Sequence, residues 1–133
     1  MSKYKNIMIT GTITTAKEES LEIYKILVEE LSLYSNNIYS PIDTIKFKGS
    51  NKEIYERVMK RLQNTDIVIA EMSSPSTGQG MELQEAVRLN IPIIVIAKNG
   101  SKISSTVLGS GKIKEVIFYD KKEDIKGKFR KLL

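Results

Sequence analysis

A doubly wound α/β fold is the architecture this sequence predicts: one parallel sheet of five strands in the order 2-1-3-4-5, with helices on both faces. Three observations predict it. Short apolar, β-branched runs recur five times along the 133 residues. Stretches with helical spacing separate them, which implies right-handed crossovers and a sheet covered on both sides. Loops rich in Gly, Ser and Thr follow the first and third runs, the two places where such a strand order reverses and ligands bind.

Asn6-Ile7-Met8-Ile9-Thr10 is the first strand and ends at Gly11. Thr15-Ala16-Lys17-Glu18 has capping-box form, and Leu21, Tyr24, Leu27, Val28 and Leu31 follow at helical spacing until Asn36-Asn37. Ile38-Tyr39-Ser40 is a brief second strand stopped by Pro41, and residues 41–50 read as a loop. Ser50-Asn51-Lys52-Glu53 repeats the capping box ahead of Ile54, Val58 and Leu62. Asp66-Ile67-Val68-Ile69-Ala70 is the third strand, and a helical pattern runs from Met81 to Asn90.

Ile91-Pro92-Ile93-Ile94-Val95-Ile96-Ala97 is the most apolar run, with its proline at the entrance, where a strand tolerates it. Lys98 to Gly111 is a polar loop with a helical turn around Ser104 to Leu108. Val116-Ile117-Phe118-Tyr119 is the fifth strand. Asp120 then caps a last helix with Ile125, Phe129 and Leu132 on one face. The five units give a flavodoxin-like, Rossmann-like winding within a single domain spanning 1–133.

Composition narrows the chemistry. The chain has no cysteine, so disulfide and thiol chemistry are excluded, and no histidine, which removes the commonest general base and zinc ligand. Acid–base work falls to carboxylates, Lys or Tyr; no cofactor and no metal are expected. No apolar run is long enough to span a bilayer and no signal peptide opens the chain, so a cytoplasmic protein without a membrane partner is expected. Of the net charge of +5, most lies in residues 112–133, with eight Lys or Arg against four Asp or Glu. Neither aromatic nor Gly–Arg interleaving accompanies these lysines, so they read as a solvated face rather than a nucleic-acid patch.

The sharpest functional stretch is Ala70-Glu71-Met72-Ser73-Ser74-Pro75-Ser76-Thr77-Gly78-Gln79-Gly80-Met81-Glu82. A strand delivers the backbone into a small-residue loop that opens onto a helix start, whose free N–H groups and partial positive charge suit an anion. Gly78 and Gly80 allow close backbone approach and positive φ; Ser76 and Thr77 can donate to phosphate oxygens. Glu82 falls in the first helical turn, where the dipole should keep it ionised as a nucleophile. Glu71 reads as a strand-end surface charge. The facing loop, Gly11-Thr12-Ile13-Thr14-Thr15, brings a second set of small polar residues to the same crevice.

These residues resemble the nucleoside 2-deoxyribosyltransferase superfamily, and within it the 2'-deoxynucleoside 5'-phosphate N-hydrolases. The strand followed by Ala-Glu-Met-Ser-Ser-Pro-Ser-Thr-Gly-Gln-Gly-Met-Glu-Leu carries the likeness, supported by Thr10-Gly11-Thr12-Ile13 and by Leu-Gln-x-x-Asp at Leu62 to Asp66. The resemblance implies cleavage of an N-glycosidic bond, with Glu82 attacking the anomeric carbon to form a covalent sugar intermediate. It places Gly11, Thr12, Ile13, Ser76, Gly78 and Gly80 at the substrate, a nucleoside 5'-monophosphate or related nucleotide. Ser76, where free-nucleoside transferases hold a carboxylate, suits a 5'-phosphate. Ser105 matches a serine that reaches the phosphate from a dimer partner, so a homodimer is implied. Family polar positions fall here at Met8, Thr14 and Val58, the last being the place of the general acid. A catalytically weak nucleotide binder or sensor on the same scaffold is therefore the alternative, and a flavodoxin-like FMN binder, through the loop at Thr10 to Thr15, is a third.

Overall fold

The computed structural model describes residues 3–74 and 76–133; Pro75, within the central loop, lies outside the described residues. Five strands form one parallel sheet in the order β2-β1-β3-β4-β5, as expected. They are β1 Ile7–Thr10, β2 Ile38–Tyr39, β3 Ile67–Glu71, β4 Ile93–Lys98 and β5 Ile113–Tyr119. The helices are α1 Glu18–Leu31, α2 Pro41–Lys46, α3 Asn51–Gln63, α4 Thr77–Arg88 and α5 Ser105–Leu108.

Strand alternation sorts the core into two layers. Ile7, Ile9, Ile67, Ile69, Ile94 and Ile96 face α1 and the C-terminal segment, where Tyr24, Leu27, Leu31 and Phe129 close over them. Met8, Val68, Ala70, Ile93 and Val95 face the other way, onto Val58 and Leu62 of α3 and Leu83 and Ala86 of α4. With both faces covered, the central strands carry apolar side chains on each side, which is why they read as unbroken apolar runs. Asp66 closes the entrance to the sheet: its Oδ2 accepts the N–H groups of Lys5 and Asn6, each at 2.9 Å, and so aligns β1 with β3.

The capping box at Ser50 forms as expected, with Ser50 N–H donating to Glu53 Oε1 at 2.9 Å and Glu53 N–H to Ser50 Oγ at 3.1 Å. The first helix differs. It starts at Glu18 after Lys17, and the Thr15 hydroxyl instead meets the Thr12 hydroxyl at 2.6 Å inside the β1 loop.

Residues 41–46, expected in a loop, are helical. Ser40 Oγ accepts Ile42 N–H at 3.1 Å, Asp43 Oδ2 accepts Ser40 N–H at 3.1 Å, and Pro41 takes the first helical position, where its missing N–H costs nothing. The C-terminal helix expected behind Asp120 is a 3₁₀ turn, Lys122–Ile125, followed by further turns. Asp124, not Asp120, accepts Lys121 N–H at 3.0 Å; Asp120 accepts from the Asn99 side chain. Gly127, at φ +83, breaks the helical path, and its N–H donates to Glu30 Oε1 of α1 at 2.6 Å. Ile125 and Phe129 are buried nonetheless, because the turns carry them onto α1.

Candidate active site

Both loops at the sheet's reversal point converge. Gly11 and Ile13 after β1, and Ser76, Gly78 and Glu82 around the start of α4, line one cleft of about 490 Å³ on the α3–α4 side. Its opposite wall comes from the α2–α3 region: Thr44, Ile45 and Phe47, then Asn51, Ile54, Tyr55 and Val58. Part of that wall stands on α2, within the stretch 41–50 expected as a loop. The signal for it lay in Ser40-Pro41-Ile42-Asp43, a cap, a first-position proline and an N3 acid in succession.

Glu82 is the sixth residue of α4, not part of its first turn. The dipole's influence fades over that distance. Glu82 is only 9% exposed, and burial pushes its carboxyl up to about 7. The expected dipole-stabilised ionisation is thus overruled: loss of water from the carboxylate outweighs a helix start more than one turn away. A carboxyl in this range is half protonated near neutrality, and as the anion it is weakly solvated and reactive.

Ser76 is the N-cap of α4. Its Oγ accepts Gln79 N–H at 3.3 Å, which leaves its own O–H to donate into the cleft. The first N–H groups of a helix have no partner within it, so those of Thr77 and Gly78 are available beside Ser76. Gly78 and Gly80 both sit in ordinary helical backbone, not at positive φ; the positive-φ glycines among the described residues are Gly100, Gly111 and Gly127. Gly80 does not face the cleft but a shallow outer groove with Tyr55, Met59 and Arg88.

Gly11 lines the cleft and is also constrained by packing. A Cβ there would lie 2.3 Å from Tyr24 Oη, which donates to Thr12 O at 2.8 Å. Thr12 itself turns to the opposite face of the sheet. It lines a second cleft, of about 440 Å³, with Glu71, Ser73, Lys98 and Tyr119. Ser105, the first residue of α5, is exposed and lines neither cleft of this single chain.

Two residues carry more than the sequence indicated. Glu71 is buried, not a surface charge: its carboxylate accepts Ser73 N–H at 2.8 Å, the Ser73 hydroxyl at 2.8 Å and the Tyr119 phenol at 2.6 Å. Burial and that bond hold the Tyr119 phenol well above its usual range, so it remains the donor. Gln79, 2% exposed, donates through Nε2 to Thr10 Oγ1 at 3.1 Å and to Glu71 O at 2.9 Å. It ties the first turn of α4 to β1 and β3.

No family model matches the sequence, but individual relatives do. A Methanosarcina mazei protein provisionally named a 2'-deoxynucleoside 5'-phosphate N-hydrolase is 31% identical over 129 residues, covering 92% of this chain and 80% of its own length. The chain belongs to the 2'-deoxynucleoside 5'-phosphate N-hydrolase family. The 5-hydroxymethyl-dUMP N-hydrolase of Danio rerio is 29% identical over 127 residues, covering 90% of this chain and 88% of its own length. In fold, this N-hydrolase family member is similar to the CMP N-glycosidase of Clostridium botulinum, with a TM-score of 0.76 at 17% identity and coverage of 97% and 100%. It is also similar to a 2-deoxyribosyltransferase of Bacillus psychrosaccharolyticus, with a TM-score of 0.70 at 16% identity and coverage of 92% and 90%. These two solved structures therefore share the fold of nearly the whole chain. Among the described residues no helix is long and apolar enough to cross a membrane.

Proposed function

We propose that this protein hydrolyses the N-glycosidic bond of a (deoxy)nucleoside 5'-monophosphate, with Glu82 as nucleophile. The observation that carries the reading is the buried Glu82 carboxyl, in one cleft with the start of α4 and the β1 loop. The 5'-phosphate lies against Ser76 Oγ and the N–H groups of Thr77 and Gly78, where the helix dipole favours negative charge. The sugar then presents its anomeric carbon to Glu82, which attacks as the anion and displaces the base. Water hydrolyses the resulting glycosyl ester, in the manner of a retaining glycosidase.

The relatives support this assignment by name: two are nucleotide N-hydrolases, and a structural neighbour is a CMP N-glycosidase. The protein acts as one domain, in a cytoplasmic setting where nucleotides are available. It works as a homodimer in which Ser105 reaches the partner's phosphate site. A monomer in sedimentation at micromolar concentration would remove Ser105 from the site.

Incubation with a panel of ribo- and deoxyribonucleoside monophosphates, followed by chromatography for free base, tests the activity. Release of base that is abolished in Glu82→Ala is the expected result; release that survives it excludes Glu82 as nucleophile. Val58 in the cleft wall, where the family places its acid, favours a second reading as a nucleotide sensor that binds without turnover. Saturable binding of the same panel with no base released would establish it.

A further inference from the structure

The wall facing Glu82 is built to hold a planar ring but not to protonate one. Ile45, Phe47, Ile54, Tyr55 and Val58 supply apolar and aromatic surface, and among the described residues Glu82 is the sole carboxyl lining the cleft. Arg61 reaches the small crevice behind Glu82, but it pairs with Asp43 at 3.7 Å and stacks over Tyr39 at 4.8 Å. A guanidinium does not release a proton at working pH. Tyr55 is 52% exposed at the rim, where water competes for its hydroxyl. The nucleophile is therefore in place and a buried acid for the leaving base is not.

We propose that the substrates are nucleoside 5'-monophosphates whose base carries a fixed positive charge on the ring bonded to the sugar, such as a pyridinium or an N7-alkylated purine. This rests on the reading of Glu82 as nucleophile. Glu82 forms a C–O bond to the anomeric carbon while the C–N bond breaks. The electron pair of that bond neutralises the ring cation, and the base departs uncharged with no proton required. Water then attacks the anomeric carbon of the ester, the carboxylate is released, and one proton passes to solvent. A neutral base would depart as an anion unless protonated, and that protonation is the help this cleft omits.

The charge pattern agrees. With Glu82 ionised, the cleft lining is negative beside the base, while the α4 start is positive beside the phosphate, which matches a zwitterionic nucleotide at both ends. A cationic ring near Glu82 also opposes the effect of burial and favours the reactive anion.

The test compares kcat/KM for 7-methylguanosine 5'-monophosphate and guanosine 5'-monophosphate, each corrected for spontaneous hydrolysis, beside nicotinamide mononucleotide, CMP and dUMP. General-acid catalysis is worth about 10²–10⁴-fold, so the methylated nucleotide is expected to lead by a hundredfold or more. A smaller ratio, with both cleaved, overturns this inference and leaves the hydrolase reading intact; no cleavage of any member of the panel overturns both. With nicotinamide mononucleotide the pH profile should rise to a plateau, and a bell shape would show a working acid and overturn the proposal. Val58→Asp should raise guanosine 5'-monophosphate turnover at least tenfold, and a folded variant without that gain counts against it. Where Val58→Asp fails to fold by circular dichroism, the wild-type ratio decides.

Discussion

Gln79 Nε2 donates to Thr10 Oγ1 across 3.1 Å of space and 69 residues of sequence. With its second bond, to Glu71 O, this side chain clamps the start of α4 onto the ends of two adjacent strands. Ser76, three residues before it, and Glu82, three after, take their positions relative to the β1 loop from that clamp. Gln79→Leu keeps the bulk and loses both bonds, leaving a buried carbonyl and hydroxyl without their donor. Urea titration should show a loss of about 1–3 kcal/mol, and kcat/KM on the preferred nucleotide should fall because Glu82 loses its fixed placement. A stability unchanged within error would mean that the clamp contributes nothing.

The raised Glu82 carboxyl links activity to stability with a definite sign. Below the ordinary carboxylate range the group is protonated in folded and unfolded chains alike. Between that range and about 7 the folded chain keeps the proton and the unfolded chain has lost it. Raising pH through this window therefore erodes stability, by roughly 3 kcal/mol in total. Glu82→Gln should melt higher than the parent at pH 8 and nearly match it at pH 4, with no base release at either pH. Parallel melting curves for the two proteins across this range would refute the buried carboxyl.

Under the proposed mechanism the same ionisation governs rate. Attack requires the anion, so kcat/KM should rise through about pH 7 as Glu82 loses its proton. A rate already level between pH 5 and 8 would show that the nucleophile ionises in the ordinary carboxylate range.

Gly11→Ala separates packing from binding. The added methyl meets Tyr24 Oη, which is itself bonded to Thr12 O, so the helix or the loop must shift. The expected cost is about 1–3 kcal/mol, and Tyr24→Phe in the same chain should recover little of it, because the ring carbons Cε1 and Cζ still lie 2.6 and 2.7 Å from the added Cβ and Thr12 O loses its donor. Equal stability of Gly11→Ala and the parent would show that the loop relaxes freely.

Ser76→Ala removes a cap and, on the proposed function, a phosphate donor together. The cap is worth about 1 kcal/mol, readable by thermal melting. The phosphate contact should appear as a raised KM for nucleotides with little change for the matching free nucleosides. An equal rise for both would assign Ser76 to the helix alone.

The order of strands and helices was written locally. Runs such as Ile93 to Ala97 and the box from Ser50 to Glu53 encode their structure through nearest neighbours, so periodicity and capping residues suffice to read them. The α2 helix is equally local but only six residues long, and the proline that opens it also ends β2, so one residue carries both signals. The C-terminal turns were not local. Gly127 and Glu30 meet only because α1 lies beside that segment, and no spacing rule contains that contact.

The order of the five strands and the candidate nucleophile Glu82 were therefore legible in the amino-acid sequence alone, since each depends on residues within a few positions of one another. Tertiary structure decided the burial and protonation of Glu82, the burial of Glu71, the clamp at Gln79 and the turning of Thr12 to the other face. Those properties depend on which distant groups displace water from a side chain, and desolvation is set by packing in three dimensions.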